Sequence, residues 1–382
     1  MIPYGRQDIT QQDIDAVLTV LQSDFLTQGP AVPLFEQAVS EYCGVKHTVA
    51  VNSATSALHI ACLALGLGEE DWLWTSPNTF VASANCGLYC RAKVDFIDID
   101  PKTYNMDVNA LKAKLEIAEQ KKELPKILIP VHFAGQSCDM KSIYELSKQY
   151  GFKIIEDASH AIGGRYLDEK IGGCQYSDIT VFSFHPVKII TTAEGGVATT
   201  NDVNLKAKMD MLRSHGVTRE LDLMEGELDG PWCYQQIELG YNYRMTDIQA
   251  ALGVSQIKRI DDYISRRHEV KIRYDEMLDA FPLTLPWQHP DTYSALHLYP
   301  IQVGNGLNRK EVFNQLRDAG IGVNVHYIPV HTQPYYKRLG FKQGDFPVAE
   351  SYYKNAISIP MYPTITDMQQ EQVVSAIEKA LV

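Results

Sequence analysis

Phe152-Lys153-Ile154-Ile155-Glu156-Asp157-Ala158-Ser159-His160, followed downstream by Phe182-Ser183-Phe184-His185-Pro186-Val187-Lys188-Ile189-Ile190-Thr191-Thr192-Ala193-Glu194-Gly195-Gly196, is the part of the chain from which the fold can be read. The first segment reads as a short strand that ends in a carboxylate at Asp157. The second continues a strand over Ile179 to Phe184 and enters a loop that holds Lys188 among apolar and hydroxyl side chains. No carboxylate follows Lys188 before Glu194, and no other lysine lies between Lys170 and Lys206. A lysine amine is nucleophilic only when neutral, and an uncharged setting favours that form. Two such strands deliver Asp157 and Lys188 to one cleft at the carboxyl end of a sheet.

Working outward, short β-branched runs alternate with helical periods. His47 to Val51, Trp72 to Thr75, Val94 to Asp98, Ile127 to Val131 and Lys153 to Glu156 read as strands, with helices over Ser53 to Leu65 and Phe80 to Tyr89 among those between them. This βαβ rhythm predicts an α/β fold with a large, mainly parallel sheet covered on both faces. After Thr200 the pattern changes. Asn204 to Leu212 reads as a helix, Asp247 to about Ala280 as a long charged helical region, His297 to Val303 as a strand, Asn308 to Ala319 as a helix, Val323 to Tyr327 as a strand and Asp367 to Leu381 as a last helix. The expected division is a large domain over 1–260 and a smaller C-terminal α/β domain over 261–382.

Asp157 and Lys188 together fit the chemistry of pyridoxal 5'-phosphate (PLP). The lysine would anchor the cofactor as a Schiff base and act as general acid and base, while the aspartate keeps the pyridine nitrogen protonated so that the ring draws electrons. Singly, each has a plainer reading, as a solvated loop lysine and a helix cap. Two further turns favour the joint reading. Asn52-Ser53-Ala54-Thr55-Ser56-Ala57-Leu58 lies where a strand becomes a helix, a natural phosphate seat of backbone N–H groups and hydroxyls, to which Ser183 adds another. Phe80, in Thr75-Ser76-Pro77-Asn78-Thr79-Phe80, can stack on the pyridine face.

Composition bounds the alternatives. The chain has 382 residues, 35 Lys and Arg against 47 Asp and Glu, and a net charge of −12. Such acidity argues against nucleic acid and anionic membranes as partners. The seven scattered cysteines form no CxxC pair, which suggests reduced thiols in a cytoplasmic protein. Cys86 and Cys90 stand four apart on a helix without a second ligand pair, so no metal is expected. There is no basic-then-apolar leader and no apolar run of membrane-spanning length.

These motifs, with Phe25-Leu26-Thr27-Gln28-Gly29, Arg213-Ser214-His215-Gly216, Leu239-Gly240-Tyr241-Asn242-Tyr243-Arg244 and Val325-His326-Tyr327, resemble the DegT/DnrJ/EryC1/StrS sugar aminotransferases over nearly the whole chain. The resemblance implies PLP-dependent transferase fold type I, like aspartate aminotransferase. It assigns Lys188 to the cofactor, Asp157 to its ring nitrogen and His160 to the neighbourhood of its phenolic oxygen. It gives Thr55, Ser56 and Ser183 to the phosphate, Phe80 to the ring face, and Asn242 to the phosphate of a neighbouring subunit, hence a homodimer with shared sites. Tyr4, Thr27, Gln28, Gly29, His326 and Tyr327 match regions lining the substrate cleft. Arg244 is a candidate for a carboxylate or phosphate, or else for a structural ion pair. The subgroup most similar in these motifs aminates C4 of a UDP-4-keto-6-deoxy-N-acetylhexosamine with L-glutamate, a step towards pseudaminic acid.

Two positions depart from that subgroup: Ile189 stands where proline is common after the lysine, and Ile328 where lysine is common after His-Tyr. A related 3-dehydrase carries histidine in place of Lys188, and a dinucleotide-binding dehydrogenase would need a G-x-G-x-x-G after its first strand, which is lacking here. A bacillosamine-type or perosamine-type aminotransferase, and a non-catalytic protein on the same scaffold, are the remaining readings.

Overall fold

The computed structural model describes residues 1–304 and 306–381. Two helices, α1 (Gln11–Leu21) and α2 (Ala31–Cys43), precede the first strand. The predicted rhythm then forms a seven-stranded sheet of β1 (His47–Val51), β2 (Trp72–Thr75), β3 (Lys93–Phe96), β4 (Ile127–Ile129), β5 (Lys153–Asp157), β6 (Ile179–Ser183) and β7 (Gly196–Thr200), in the order β1-β7-β6-β5-β4-β2-β3. The pairs from β6 through β5, β4 and β2 to β3 are parallel. β7, which the sequence reading did not single out, is antiparallel to both β1 and β6.

Crossover helices α3 (Ala54–Ala64), α4 (Ala82–Tyr89), α5 (Val108–Lys121) and α6 (Met140–Tyr150) link the first five strands. The strands alternate their side chains between two cores. Val49, Val51 and Val181 pack with α3, whereas Ala50, Phe182 and Val197 pack with Phe35 and Val39 of α2. Phe35 and Phe182 are wholly buried, and truncating either to alanine would cost about 3–5 kcal/mol.

Beyond β7 come α7 (Val203–Arg213), α8 (Asp247–Ile257) and α9 (Ile260–Leu278). The long helical region expected from Asp247 to Ala280 is therefore two helices. Arg259 marks the break, where its guanidinium reaches the buried Asp13 at 2.6 Å and the Tyr263 hydroxyl at 3.0 Å. Ile260, Tyr263 and Ile264 of α9 belong to the core around Phe35, while Val270, Tyr274 and Leu278 belong to a third core. That third core lies under an antiparallel sheet of β8 (Leu283–Thr284), β9 (Tyr299–Val303) and β10 (Ala356–Ile359), with α10 (Arg309–Asp318) and, after α11 (Pro334–Arg338) and α12 (Pro347–Asn355), α13 (Asp367–Ala380). Ile2 joins it, with a bridge to Ile321, so the chain start runs with the C-terminal part.

The strand expected over Val323 to Tyr327 does not form. Asn324 makes one bridge to Ser358, and its side-chain oxygen then accepts the Val325 N–H at 2.8 Å, taking a donor that a ladder would use. The chain turns instead towards β2's exit, where Tyr327 N bonds Asn78 Oδ1 and Val330 N bonds the Pro77 carbonyl.

Candidate active site

Asp157 ends β5, and both of its carboxylate oxygens are held. Oδ1 accepts from the Ser159 hydroxyl at 2.6 Å and the Ser159 N–H at 3.1 Å, and Oδ2 accepts from Ser83 Oγ at 2.6 Å. Ser83 has donated its only hydroxyl proton, so its 2.8 Å contact with Thr79 Oγ1 must be one that it accepts. Oδ2 keeps a free lone pair, and Asp157 lines a cleft of about 420 Å³.

The loop bearing Lys188 is tied at both ends. Phe184 N bonds the Gly195 carbonyl, while Thr192 N and Thr191 Oγ1 return to the Phe184 carbonyl. Lys188 lines the same cleft, together with Tyr4, Thr55, Phe80, His160 and Ser183. Burial lowers the Lys188 pKa from its ordinary 10.5 to about 8, against the opposing pull of Asp157. Burial also holds His160 and His297 well below the usual histidine range and His326 at about 3, with the charge of Lys188 acting in the same direction on all three. Lys188 therefore sits among neutral imidazoles.

The tautomer of His160 follows from its partners. Nδ1 accepts the Ala134 N–H at 3.3 Å, so the proton of the neutral ring is on Nε2 and is donated to Tyr327 Oη at 3.0 Å. The Tyr327 hydroxyl proton is then free for a group in the cleft. His326 is fixed by Ser358 Oγ at 2.8 Å, and Tyr4 packs beside it with ring centroids 5.6 Å apart.

The phosphate seat expected at the start of α3 has the donors it needs. Ser53 caps the helix by accepting the Ser56 N–H, which leaves the N–H groups of Ala54 and Thr55 without a protein partner among the described residues. Both residues line the cleft. Gly196 permits the close approach, since a Cβ there would lie 2.5 Å from Ala54 N. Phe80 is 61% exposed and lines the cleft, a position for a ring platform and not for a core residue. Donors for a phosphate, a carboxylate for a ring nitrogen, an aromatic face and a desolvated amine all open on one space, and this set fits PLP.

Other expected residues lie elsewhere. Ser56 is buried, and its hydroxyl donates to Asn52 Oδ1 at 2.7 Å. Thr27, Gln28, Gly29, Asn242 and Arg244 do not line the cleft of their own chain. Thr27 bridges to Thr246, Gly29 N bonds Asp247 Oδ2, Arg244 bridges to Val51, and the exposed Asn242 bridges to Ser214. Arg244 has no carboxylate of its own chain within 4.0 Å among the described residues. Sequence reasoning assigned no role to Thr79, Ser83, Ser159, His185, Glu194 or His297. Thr79 and Ser83 carried a weak signal, two hydroxyls four apart at a helix start; His297 carried none.

Residues 7–378 match the DegT/DnrJ/EryC1/StrS aminotransferase family. The chain belongs to that family. It is 40% identical to the spore coat polysaccharide biosynthesis protein SpsC of Bacillus subtilis, covering 98% of this chain and 96% of that one. It is also 40% identical to the UDP-4-amino-4,6-dideoxy-N-acetyl-beta-L-altrosamine transaminase of Campylobacter jejuni, over 95% and 93%. Among solved structures, Helicobacter pylori PseC, an aminotransferase of pseudoaminic acid biosynthesis, superposes with a TM-score of 0.90 at 33% identity, covering 100% of this chain and 99% of the other. DegT-family aminotransferases are PLP-dependent, and the present sheet and cleft are those of fold type I. The protein is a sugar aminotransferase of this family. Among the described residues no helix is long and apolar enough to cross a membrane.

Proposed function

We propose that the protein transfers the amino group of L-glutamate to C4 of a UDP-4-keto-6-deoxy-N-acetylhexosamine, forming UDP-4-amino-4,6-dideoxy-N-acetyl-β-L-altrosamine for pseudaminic acid biosynthesis in the cytoplasm. The observation that carries this reading is the Lys188 and Asp157 cleft in a chain 40% identical, almost end to end, to a transaminase named for that product.

PLP, when bound, supplies an electron-withdrawing ring that makes a C–H bond beside nitrogen acidic. Asp157 Oδ2 would hold the proton on its ring nitrogen, with Ser83 and Ser159 fixing the carboxylate. The N–H groups of Ala54 and Thr55 and the hydroxyls of Thr55 and Ser183 would bind its phosphate, and Phe80 would cover one face. His160 orients Tyr327, whose free hydroxyl proton is available to an oxygen in the cleft. Lys188 Nζ, whose pKa burial lowers to about 8, would remove the Cα proton of glutamate and return a proton to C4 of the sugar in the second half-reaction. Tyr4, His326 and Tyr327 would line the sugar. Thr27, Gln28, Gly29, Asn242 and Arg244 would act across a homodimer interface. That assembly is supported by exposed apolar side chains on the same two segments: Phe25 and Leu26 on one, Trp232, Tyr234 and Leu239 on the other. The functional division of the chain would be 1–260 and 261–382.

A second reading is favoured by two facts: the relatives include a GDP-perosamine synthase at 35% identity, and Ile328 replaces an expected cation. One assay separates the two. Purified protein with PLP is offered L-glutamate and UDP-4-keto sugars of both C5 configurations or GDP-4-keto-6-deoxymannose, and the product is identified by NMR. Amination of the UDP sugar to the L-altro product is expected; amination of the GDP sugar alone would replace the reading, and no amination of any of them would remove it.

A further inference from the structure

His297 lines the cofactor cleft, and its ring lies against that of His160 with centroids 4.4 Å apart. The segment that carries it, just before β9, runs along the exit of β4. There Ala295 N bonds the Gly135 carbonyl, and a Cβ on Gly135 would lie 3.0 Å from His297 N. From the other side the His297 carbonyl accepts from the buried Arg267 Nη1. The backbone is thus held on two sides and fixes where the imidazole stands. The imidazole itself is only 4% exposed, and its Nδ1 is buried without a partner among the described residues. Nε2 is therefore the nitrogen that can meet a ligand in the cleft.

Burial, reinforced by the charges of His160, Lys188, Arg267 and His326, keeps the His297 ring neutral, so it carries one proton. A buried N–H without an acceptor is a costlier vacancy than an unfilled lone pair, which assigns that proton to Nε2. His297 then offers the cleft a donor.

The sheet order says what stands opposite it. In PLP the aldehyde carbon lies between the phosphate arm and the phenolic hydroxyl, with the ring nitrogen across the ring. The phosphate donors of α3 follow β1, Lys188 follows β6, Asp157 ends β5, and the His160 and His297 pair lies at the exits of β5 and β4. With the phosphate on the β1 side and the aldehyde at Lys188, the hydroxyl is turned towards β4. His160 has already given its Nε2 proton to Tyr327 Oη and has no second one for that oxygen. We propose that His297 is a cofactor-binding residue whose Nε2–H donates to the phenolic oxygen of PLP, beside the Tyr327 hydroxyl. The inference rests on the reading in which Lys188 and Asp157 hold PLP. A donor at this oxygen draws charge from it and weakens its hold on the proton of the nitrogen joined to Lys188.

The test uses full-length protein loaded with PLP, whose visible band is titrated with pH. His297→Phe keeps an aromatic ring and removes the donor, while His297→Gln returns an N–H close to the place of Nε2. The midpoint is expected to rise by about one unit in His297→Phe, the effect of one lost hydrogen bond, and to return towards the wild-type value in His297→Gln. An unmoved midpoint in His297→Phe, or an equal rise in both variants, would overturn the assignment of His297 alone. A wild-type protein without a visible band in the presence of PLP would overturn the Lys188 reading and this inference with it. NMR of isotopically labelled histidines in the wild type decides the matter should His297→Phe not fold. A His297 proton on Nε2 whose signal moves when PLP is added is expected, and a proton on Nδ1, or an Nε2 signal indifferent to PLP, would reject the proposal.

Discussion

Ser83 Oγ lies 2.6 Å from Asp157 Oδ2 and passes on a hydrogen-bond chain that begins at Thr79. Because Thr79 and Ser83 flank Phe80 at the start of α4, one turn of chain sets both the carboxylate proposed for the cofactor's nitrogen and the aromatic ring proposed as its platform. Ser83→Ala removes the donor to a buried carboxylate, an interaction worth about 1.5–3 kcal/mol. The rate of the half-reaction with L-glutamate, followed by the absorbance of the bound cofactor, is expected to fall roughly tenfold, about 1.4 kcal/mol of barrier. An unchanged rate would show that Ser159 alone positions Asp157.

Lys188 makes a pH prediction for the PLP-free protein. Its folded pKa of about 8 is below the ordinary 10.5, so between those values the unfolded chain binds more protons than the folded one. The contribution of this group to stability therefore rises as pH increases from 8 to 10.5, and below 8 its cost is fully present. Denaturant unfolding of Lys188→Met should show an advantage over the wild type at pH 7 that shrinks at pH 10. An advantage that grows with pH would contradict the sign.

Phe80 contributes little to the core, since most of its surface is exposed. Phe80→Ala should leave the melting temperature of the PLP-free protein nearly unchanged. Its PLP dissociation constant, from fluorescence titration, should rise by up to about tenfold, the range expected for one aromatic contact. A large loss of melting temperature with unchanged affinity would return Phe80 to a packing role.

Leu239 is 75% exposed in the single chain. In sedimentation, the wild type is expected at about twice the chain mass of 43.0 kDa, and Leu239→Asp should shift the protein towards the monomer, with activity falling in step. A variant that stays dimeric and active places the interface elsewhere.

Much of this was legible because the strands are short β-branched runs and the turns after them carry their own chemistry. Asp157, Lys188, Thr55 and Ser183 could be read from local pattern since each sits at a strand exit or helix start. The pattern failed where tertiary contacts decide. The gap between α8 and α9 depends on Arg259 reaching Asp13, which is remote in sequence. The segment Val323 to Tyr327 has strand composition, yet Asn324 diverts its ladder. Ser83 and His297 gained meaning only when α4 and the β9 approach met β5.

Arg267 is fully buried on α9, its Nη1 shared among the carbonyls of Leu296, His297 and Met361, and burial draws its pKa to about 9. His297 in turn lies against His160, with ring centroids 4.4 Å apart. Anyone building chimaeras between relatives to exchange substrate preference should therefore treat α9 and the backbone around residues 296–297 and 361 as a single cassette. A crossover placed between them would strand a cation in the interior and shift the imidazole beside His160, so a failed hybrid would report a bad seam and not an incompatible specificity.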